Sequence, residues 1–395
     1  MDFTRTNWVL IALLWLAGLG AAAQFGKVAV TFQDLQRFYA TDSVTIGLLV
    51  SVVGFVGVIF GASAGLIVTR FGNRKVILTA LAMGAAVSFA QAMLPPLLIM
   101  FVLRIIEGFS HLALVVAAPV LISQVAMPKH QNFVMILWST FFGVSFALLA
   151  WIGPILVSKF GLQSLFLAHG SWFLGIGILL LFSLEREAMP VRTPLFKGLV
   201  SRHIDLYRSP FTSAPGLGFA FYTMTYVAVL TILPGLVDPM WRVFVATAMP
   251  LVSIAVSLTF GVWVLRYITA VQAVMLGFAG SIISALFFGI FMGIGLAEVF
   301  CAVALAGFLG LIQGASFACI PALNPEPNDR AKAAGVLAQM GNVGTSSGTP
   351  ILAYLAVQYG GLGAMWFVVI LSVCGILMHA WLAGRRRRAS TQRVE

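Results

Sequence analysis

The chain has 395 residues, of which 61% are hydrophobic and 9% charged, with a net charge of +11 and a mean hydropathy of +1.03. A soluble core of this size cannot hide so much apolar surface, and the apolar runs repeatedly exceed the roughly 20 residues that cross a bilayer, so a water-soluble globular protein is excluded. The basic balance is no nucleic-acid footprint either, because the cations collect in every second gap between apolar runs, as membrane topology requires.

With no water at membrane depth to satisfy backbone amides, each run is expected to be a helix. Twelve spans are expected. The first, 8–30, lacks an A-x-A-like cleavage site and is too long for a signal peptide, so it is kept in the mature protein. It carries Gln24 and Lys27. Near the outer end of a span, Lys27 has two readings: its stem snorkels to the surface, or the helix runs on toward Asp34 and Lys27 faces a cavity with Gln24 below it.

The second span, 44–69, leads into Gly65-Leu-Ile-Val-Thr69-Arg70-Phe-Gly72-Asn73-Arg74-Lys75 and the third, 76–94. Gly65 suits a close helix approach and Gly72 a tight turn. Arg70, Arg74 and Lys75 are placed to hydrogen-bond the last carbonyls of neighbouring helices. The fourth span, 97–124, contains Arg104 and Glu107, the one acid expected inside the membrane. Each charge at that depth costs about 2.5–3.5 kcal/mol and is by default functional. At i and i+3 the two share a face, and His111 extends the stripe one turn further. Burial and the adjacent arginine act in opposite senses on the proton of Glu107, which makes the pair a candidate coupling device, with a static packing pair as the alternative.

The fifth span, 133–157, carries Pro154, and the sixth, 165–184, carries His169, read with His379 as a packing residue. The polar stretch 185–213 then separates six spans from six: 216–236, 243–265, 271–296, 299–323, 336–357 and 364–382. The second half is expected to carry no charge within the membrane. Its polar residues are Tyr222, Thr225 and Tyr226 in the seventh span, Gln313 and Ser316 in the tenth, and Gln339, Asn342, Thr345 and Thr349 in the eleventh. Those of the eleventh share it with Gly341, Gly344 and Gly348, which favours helix packing there. Cys301, Cys319 and Cys374 fall within spans, with no metal-type spacing and no disulfide framework.

With the first residues counted as cytoplasmic, eighteen of the 23 lysines and arginines fall on that side, among them Arg5, Lys129, Arg192, Arg202, Arg266 and Arg385 to Arg388. Only Arg37, Lys159 and Arg242 fall on the other, so both termini are expected to be cytoplasmic. The terminal arginine run is read as an anchor at an anionic leaflet. The expected organisation is a six-helix half at 1–184, a cytoplasmic loop at 185–213, a second six-helix half at 214–383 and a basic tail at 384–395. Weak echoes support a duplication: Gly65-x4-Arg70 and Gly261-x4-Arg266, Pro154-Ile-Leu and Pro350-Ile-Leu, Glu107-Gly-Phe-Ser and Gln313-Gly-Ala-Ser.

The Gly65–Lys75 segment resembles the loop signature of the major facilitator superfamily, with Thr69 in place of an aspartate, and Arg104-Ile-Ile-Glu107-Gly108 resembles its fourth-helix motif. The resemblance implies an all-α membrane protein of twelve helices in two pseudo-symmetric halves that moves a small molecule by alternating access. It implies that Gly65, Thr69, Arg70, Gly72, Arg74 and Lys75 form a gating loop, weakened by the missing aspartate. It further implies proton transfer at Arg104, hence at Glu107 and His111, and a cavity lined by the first, fourth, seventh and tenth helices. Candidate substrate contacts are then Gln24, Lys27, Arg104, Tyr222, Tyr226, Gln313 and Asn342. The cations suggest a small anionic or zwitterionic metabolite, a carboxylate above all, carried with protons by a monomer without cofactor or metal. The alternatives are an exporter of amphipathic or cationic compounds, against which the incomplete glycine pattern around Pro154 counts, and a non-transporting scaffold or sensor. No nucleophile–base pair, phosphate loop or metal cluster suggests an enzyme.

Overall fold

The computed structural model describes residues 5–127, 130, 134, 137–185, 204 and 207–391; within its helices, the side chains of 62–67, 69, 70, 123, 327, 328, 330, 331, 390 and 391 lie outside that description. Among the described residues all the regular secondary structure is helical. The elements are α1 (Trp8–Val30), α2 (Phe32–Tyr39), α3 (Ser43–Phe71), α4 (Asn73–Ala92), α5 (Leu97–Val125), α6 (Phe141–Phe160) and α7 (Gln163–Ser183), then α8 (Ala214–Leu236), α9 (Arg242–Val256), α10 (Ala270–Ile290), α11 (Leu296–Leu323) and α12 (Pro327–Thr391). Among the described residues, eleven helices are long and apolar enough to cross a membrane. The last of these spans two crossings, because Gly360 breaks α12 with φ +56° and ψ −138°.

The ends are set by local chemistry. Asn7 caps α1 by accepting from the Leu10 amide at 3.0 Å, and Thr269 and Gln272 form a capping box at the start of α10. Gly72, at φ +81°, makes the turn from α3 into α4, a conformation that side-chain-bearing residues resist. One turn of π-helix, Ser257–Gly261, continues α9 into Val262–Val264.

The chain divides into two compact units, one of Met1–Asp42 with Val52–Lys197, the other of Ser43–Ser51 with Gly198–Glu395. In the first, α1 packs on α5, α6 and α7, and α4 packs on α5 and α7. Its core includes Leu14, Ile77, Leu81, Leu114, Phe173 and Leu180. In the second, α8 packs on α12, α11 and α9, and α10 on α11 and α12. Added Cβ atoms at Gly344 and Gly348 of α12 would overlap Thr223 and the backbone of Ala220 and Met224 on α8, so these glycines let the two backbones approach.

Two expectations need correction. The tenth span starts at Leu296 rather than 299, which brings Glu298 into the first turn of α11, 1% exposed. The second unit therefore does bury an acid. Its carboxylate accepts from the amides of Asp238 at 3.0 Å and Gly293 at 2.7 Å, and the positive end of the helix favours it there. The arginine run is also more than a leaflet anchor: α12 continues through it, and Arg385 and Arg386 donate to the carbonyls of Arg208 and Pro210. Arg387 and Arg388 remain exposed.

Candidate functional site

Lys27, Glu107 and Arg104 meet inside the first unit, all at 0% exposure. Lys27 lies in the last turn of α1, and Arg104 and Glu107 lie one turn apart on α5. Lys27 Nζ is 2.6 Å from Glu107 Oε1, and Arg104 Nη1 is 2.6 Å from Glu107 Oε2. Gln91 of α4 donates a third bond to Oε2 at 2.8 Å. A carboxylate in a dry interior is tolerable only when paired and hydrogen-bonded in this way. Of the two readings of Lys27, the geometry selects the inward one. The close packing of α1 against α5 leaves its ammonium no path to the surface.

The remaining protons of Lys27 are engaged too. Nζ donates to Ser88 Oγ of α4 at 2.8 Å and lies 3.3 Å from His169 Nδ1 of α7, with the Phe166 ring 5.3 Å away. Ser88 Oγ is itself 2.6 Å from His169 Nδ1, and His169 Nε2 is 2.9 Å from the Gly20 carbonyl. Arg104 Nη1 also donates to the Gln24 carbonyl at 2.5 Å. The Gln24 side-chain amide donates to Ser110 Oγ at 3.1 Å, and that hydroxyl donates to Ala80 O at 2.8 Å. Two acceptors beside the cluster, Gln24 Oε1 and Gln91 Oε1, are buried without a partner. Each is a buried acceptor whose hydrogen-bonding capacity is unused.

The cluster is held at this spacing by a close helix crossing. A Cβ at Gly108 would lie 2.5 Å from the Val53 carbonyl and 2.7 Å from Val56 Cγ2 on α3, so only glycine beside Glu107 lets α5 approach so near.

Several sequence candidates are elsewhere. His111, one turn along α5 from Glu107, hydrogen-bonds the Ala21 carbonyl at 3.0 Å and sets its ring edge-on to Phe25, which fixes α5 to α1. In the second unit, Tyr222 stacks on Tyr226 at 5.3 Å and its buried hydroxyl has no partner. Gln313 is half-buried on α11. Asn342 spends its amide on the Ala338 carbonyl of its own helix. In the α3–α4 turn, Arg74 donates to the carbonyls of Leu184 at 3.0 Å and Leu181 at 3.2 Å at the end of α7, and Lys75 lies over the Phe71 ring. The side chains of Thr69 and Arg70, and the surroundings of Gly65, lie outside the described residues.

Sequence reasoning missed Ser88 and Gln91 and took His169 for packing. A signal was available: Ser88 and Gln91 stand at i and i+3 on α4, and His169 is an ionisable residue at membrane depth.

The profile of the Major Facilitator Superfamily matches residues 10–241, more than half of the chain. The chain belongs to the major facilitator superfamily. Within this transporter superfamily, it is 28% identical to the niacin transporter NiaP of Acinetobacter baylyi over 162 residues, which cover 40% of this chain and 37% of that protein. It is 26% identical to the inner membrane transport protein YajR of Escherichia coli over 162 residues, 41% of this chain and 35% of that one. The chain thus spans little more than a third of the length of these relatives. Its structure is similar to that of a bacterial homolog of the human lysosomal transporter Spinster in an inward-facing, unoccupied conformation, with a TM-score of 0.72 at 13% identity, covering 97% and 96% of the two chains. An inward-facing, occupied conformation gives 0.70 at 13% identity, over 96% and 97%. At that identity the likeness shows the fold, an all-α multi-pass membrane protein of the superfamily type.

Proposed function

We propose that the chain is a proton-coupled secondary transporter that moves a small anionic or zwitterionic metabolite, a carboxylate above all, across the cytoplasmic membrane by alternating access. The observation that supports it best is the buried grouping of Lys27, Arg104 and Glu107. Two cations share one carboxylate, which leaves a formal charge of +1 away from water. A proton on Glu107, or a substrate carboxylate competing for Arg104, changes that balance at once, and a guanidinium is well shaped to grip a carboxylate in two places. A cation entering the same place would add repulsion. Both termini and the 185–213 connection are assigned to the cytoplasm from the distribution of lysine and arginine, with each six-helix half forming one moving body.

The test is flux into proteoliposomes under an imposed pH gradient. Nicotinate is the first probe, a small carboxylate suggested by the relative named as a niacin transporter, followed by a panel of metabolites. The parent should accumulate the carboxylate under the gradient. E107Q should retain exchange while losing accumulation, because glutamine keeps the shape but cannot titrate. Accumulation by E107Q equal to the parent's overturns the coupling reading. Nicotinamide, the neutral amide, is the control for charge. Binding the acid and the amide equally across the panel, or preferring a cation, overturns the anion reading and favours export of amphipathic or cationic compounds.

A further inference from the structure

We infer that His169 is a second proton-holding group, linked to Glu107 through Lys27 and Ser88. This rests on the reading of Glu107 as the coupling carboxylate and extends it across α1, α4, α5 and α7.

The hydrogen-bond directions follow from which groups can only donate or only accept and from the charge on Lys27. A backbone carbonyl only accepts, so His169 Nε2 carries the proton that it gives to Gly20 O. An ammonium only donates, and Lys27 Nζ stands 3.3 Å from Nδ1. An N–H on Nδ1 could reach Ser88 Oγ, but it would set an imidazolium 3.3 Å from the Lys27 ammonium, so with Lys27 charged the neutral imidazole with a bare Nδ1 is the form that suits both neighbours. Ser88 Oγ accepts from Lys27 at 2.8 Å, leaving its own proton for Nδ1 at 2.6 Å. The line Glu107, Lys27, Ser88, His169 is thus continuous, with each proton facing an acceptor.

The charged groups around His169 are Lys27 on α1 and Arg104 and Glu107 on α5. Ser88 and Gln91 on α4 are uncharged, and Phe166 and Phe173 on α7 are apolar. When Glu107 takes a proton, Lys27 and Arg104 lose the anion between them. The positive charge on Lys27 is moved away from Arg104 by one concerted shift. The Lys27 Nζ–H bond breaks as an Oγ–H bond forms on Ser88, and the original Oγ–H bond breaks as an Nδ1–H bond forms on His169. Lysine ends neutral, imidazole ends as imidazolium, and the charge has moved from α1 to α7, away from Arg104. In this state Ser88 donates to Lys27 Nζ and accepts from Nδ1, so it serves both ends.

The experiment uses the full chain in lipid nanodiscs, with no substrate. Infrared spectroscopy over a pH series reads the carboxylic-acid band of Glu107, identified by its absence in E107Q. Nitrogen-15 histidine resonances, with His169 identified by its loss in H169Q, read the imidazole. At high pH the parent should show the neutral Nε2–H tautomer. As the Glu107 band rises, Nδ1 should move to its proton-bound shift in the same pH step. E107Q should show that shift already at the pH where the parent is neutral, S88A should lose it, and Ser88→Thr, which keeps the hydroxyl, should restore it. If Glu107 titrates while His169 keeps its neutral tautomer, or if His169 responds equally in S88A, the relay is overturned and the coupling carboxylate stands. If no Glu107 band appears at any pH at which the chain stays folded, both fall together.

Discussion

Lys27 and Glu107, 80 residues apart in sequence, are joined at 2.6 Å with neither side chain exposed. A pair so placed adds little net stability over a well-packed apolar pair, yet breaking it leaves a charge without a partner.

Replacing Lys27 with Gln should therefore destabilise the chain by about 1.5–3 kcal/mol, the worth of a charge-assisted hydrogen bond, because Arg104 and Gln91 still hold Glu107. K27Q/E107Q should lose more still, because Arg104 is then left buried without its carboxylate. Thermal unfolding in detergent checks the cycle. A double variant as stable as K27Q would show that Glu107 is not what balances Arg104.

Gly108→Ala should also destabilise, here by crowding. Its Cβ falls 2.5 Å from the Val53 carbonyl, which belongs to backbone and cannot swing aside. Overpacking of this kind costs about 1–3 kcal/mol. Proton coupling should suffer as well, since α5 must retreat and carry Glu107 with it. An unchanged unfolding temperature would contradict the crossing described.

Arg74 holds two carbonyls at the end of α7 with one planar side chain. Arg74→Lys keeps the charge but loses the fork, and should cost about 1 kcal/mol, the worth of one hydrogen bond. Arg74→Ala should cost more. Equal stability of the two variants would show that charge and geometry make no difference there.

Outside the membrane spans, the hydroxyl of Tyr39 donates to the Pro95 carbonyl at 2.8 Å, and partial burial pushes its pKa up to about 12. The folded chain holds this proton more tightly than the unfolded chain. Its contribution is therefore fully present below pH 10 or so, the ordinary tyrosine value, and is lost as the pH rises through about 12. Y39F should remove that part of the alkaline destabilisation. Identical alkaline unfolding curves for parent and Y39F would contradict it.

Cysteines introduced near Asp42 and Asp238 should react with an impermeant reagent applied from outside, while one near Arg202 should not. The reverse pattern would invert the proposed orientation.

Much of this was legible in the sequence because the bilayer allows so few solutions. Apolar run length placed the helices, and two charges at i and i+3 placed the site on α5. What stayed hidden depends on which helix faces turn together. Lys27 had two plausible fates on α1 alone, and only the packing of α1 against α5 and α7 selects one. Ser88 and His169 are ordinary in their own spans and acquire meaning from an ammonium brought in from 61 and 142 residues away. Glu298 was misplaced by a start of α11 only a few residues early, enough to bring a loop acid into a helix.

The matched bonding of the buried cluster has a consequence for how the first unit moves. Every proton of Lys27 has an acceptor, and both oxygens of Glu107 have donors, contributed by α1, α4, α5 and α7 together. Lifting any one of these helices a little strands several groups at once, and partial separation is worse than either full closure or full wetting. The four helices therefore act as a snap fastener. Their separation, where it occurs, is expected to be all-or-none, with no comfortable stop between the closed arrangement and a hydrated one.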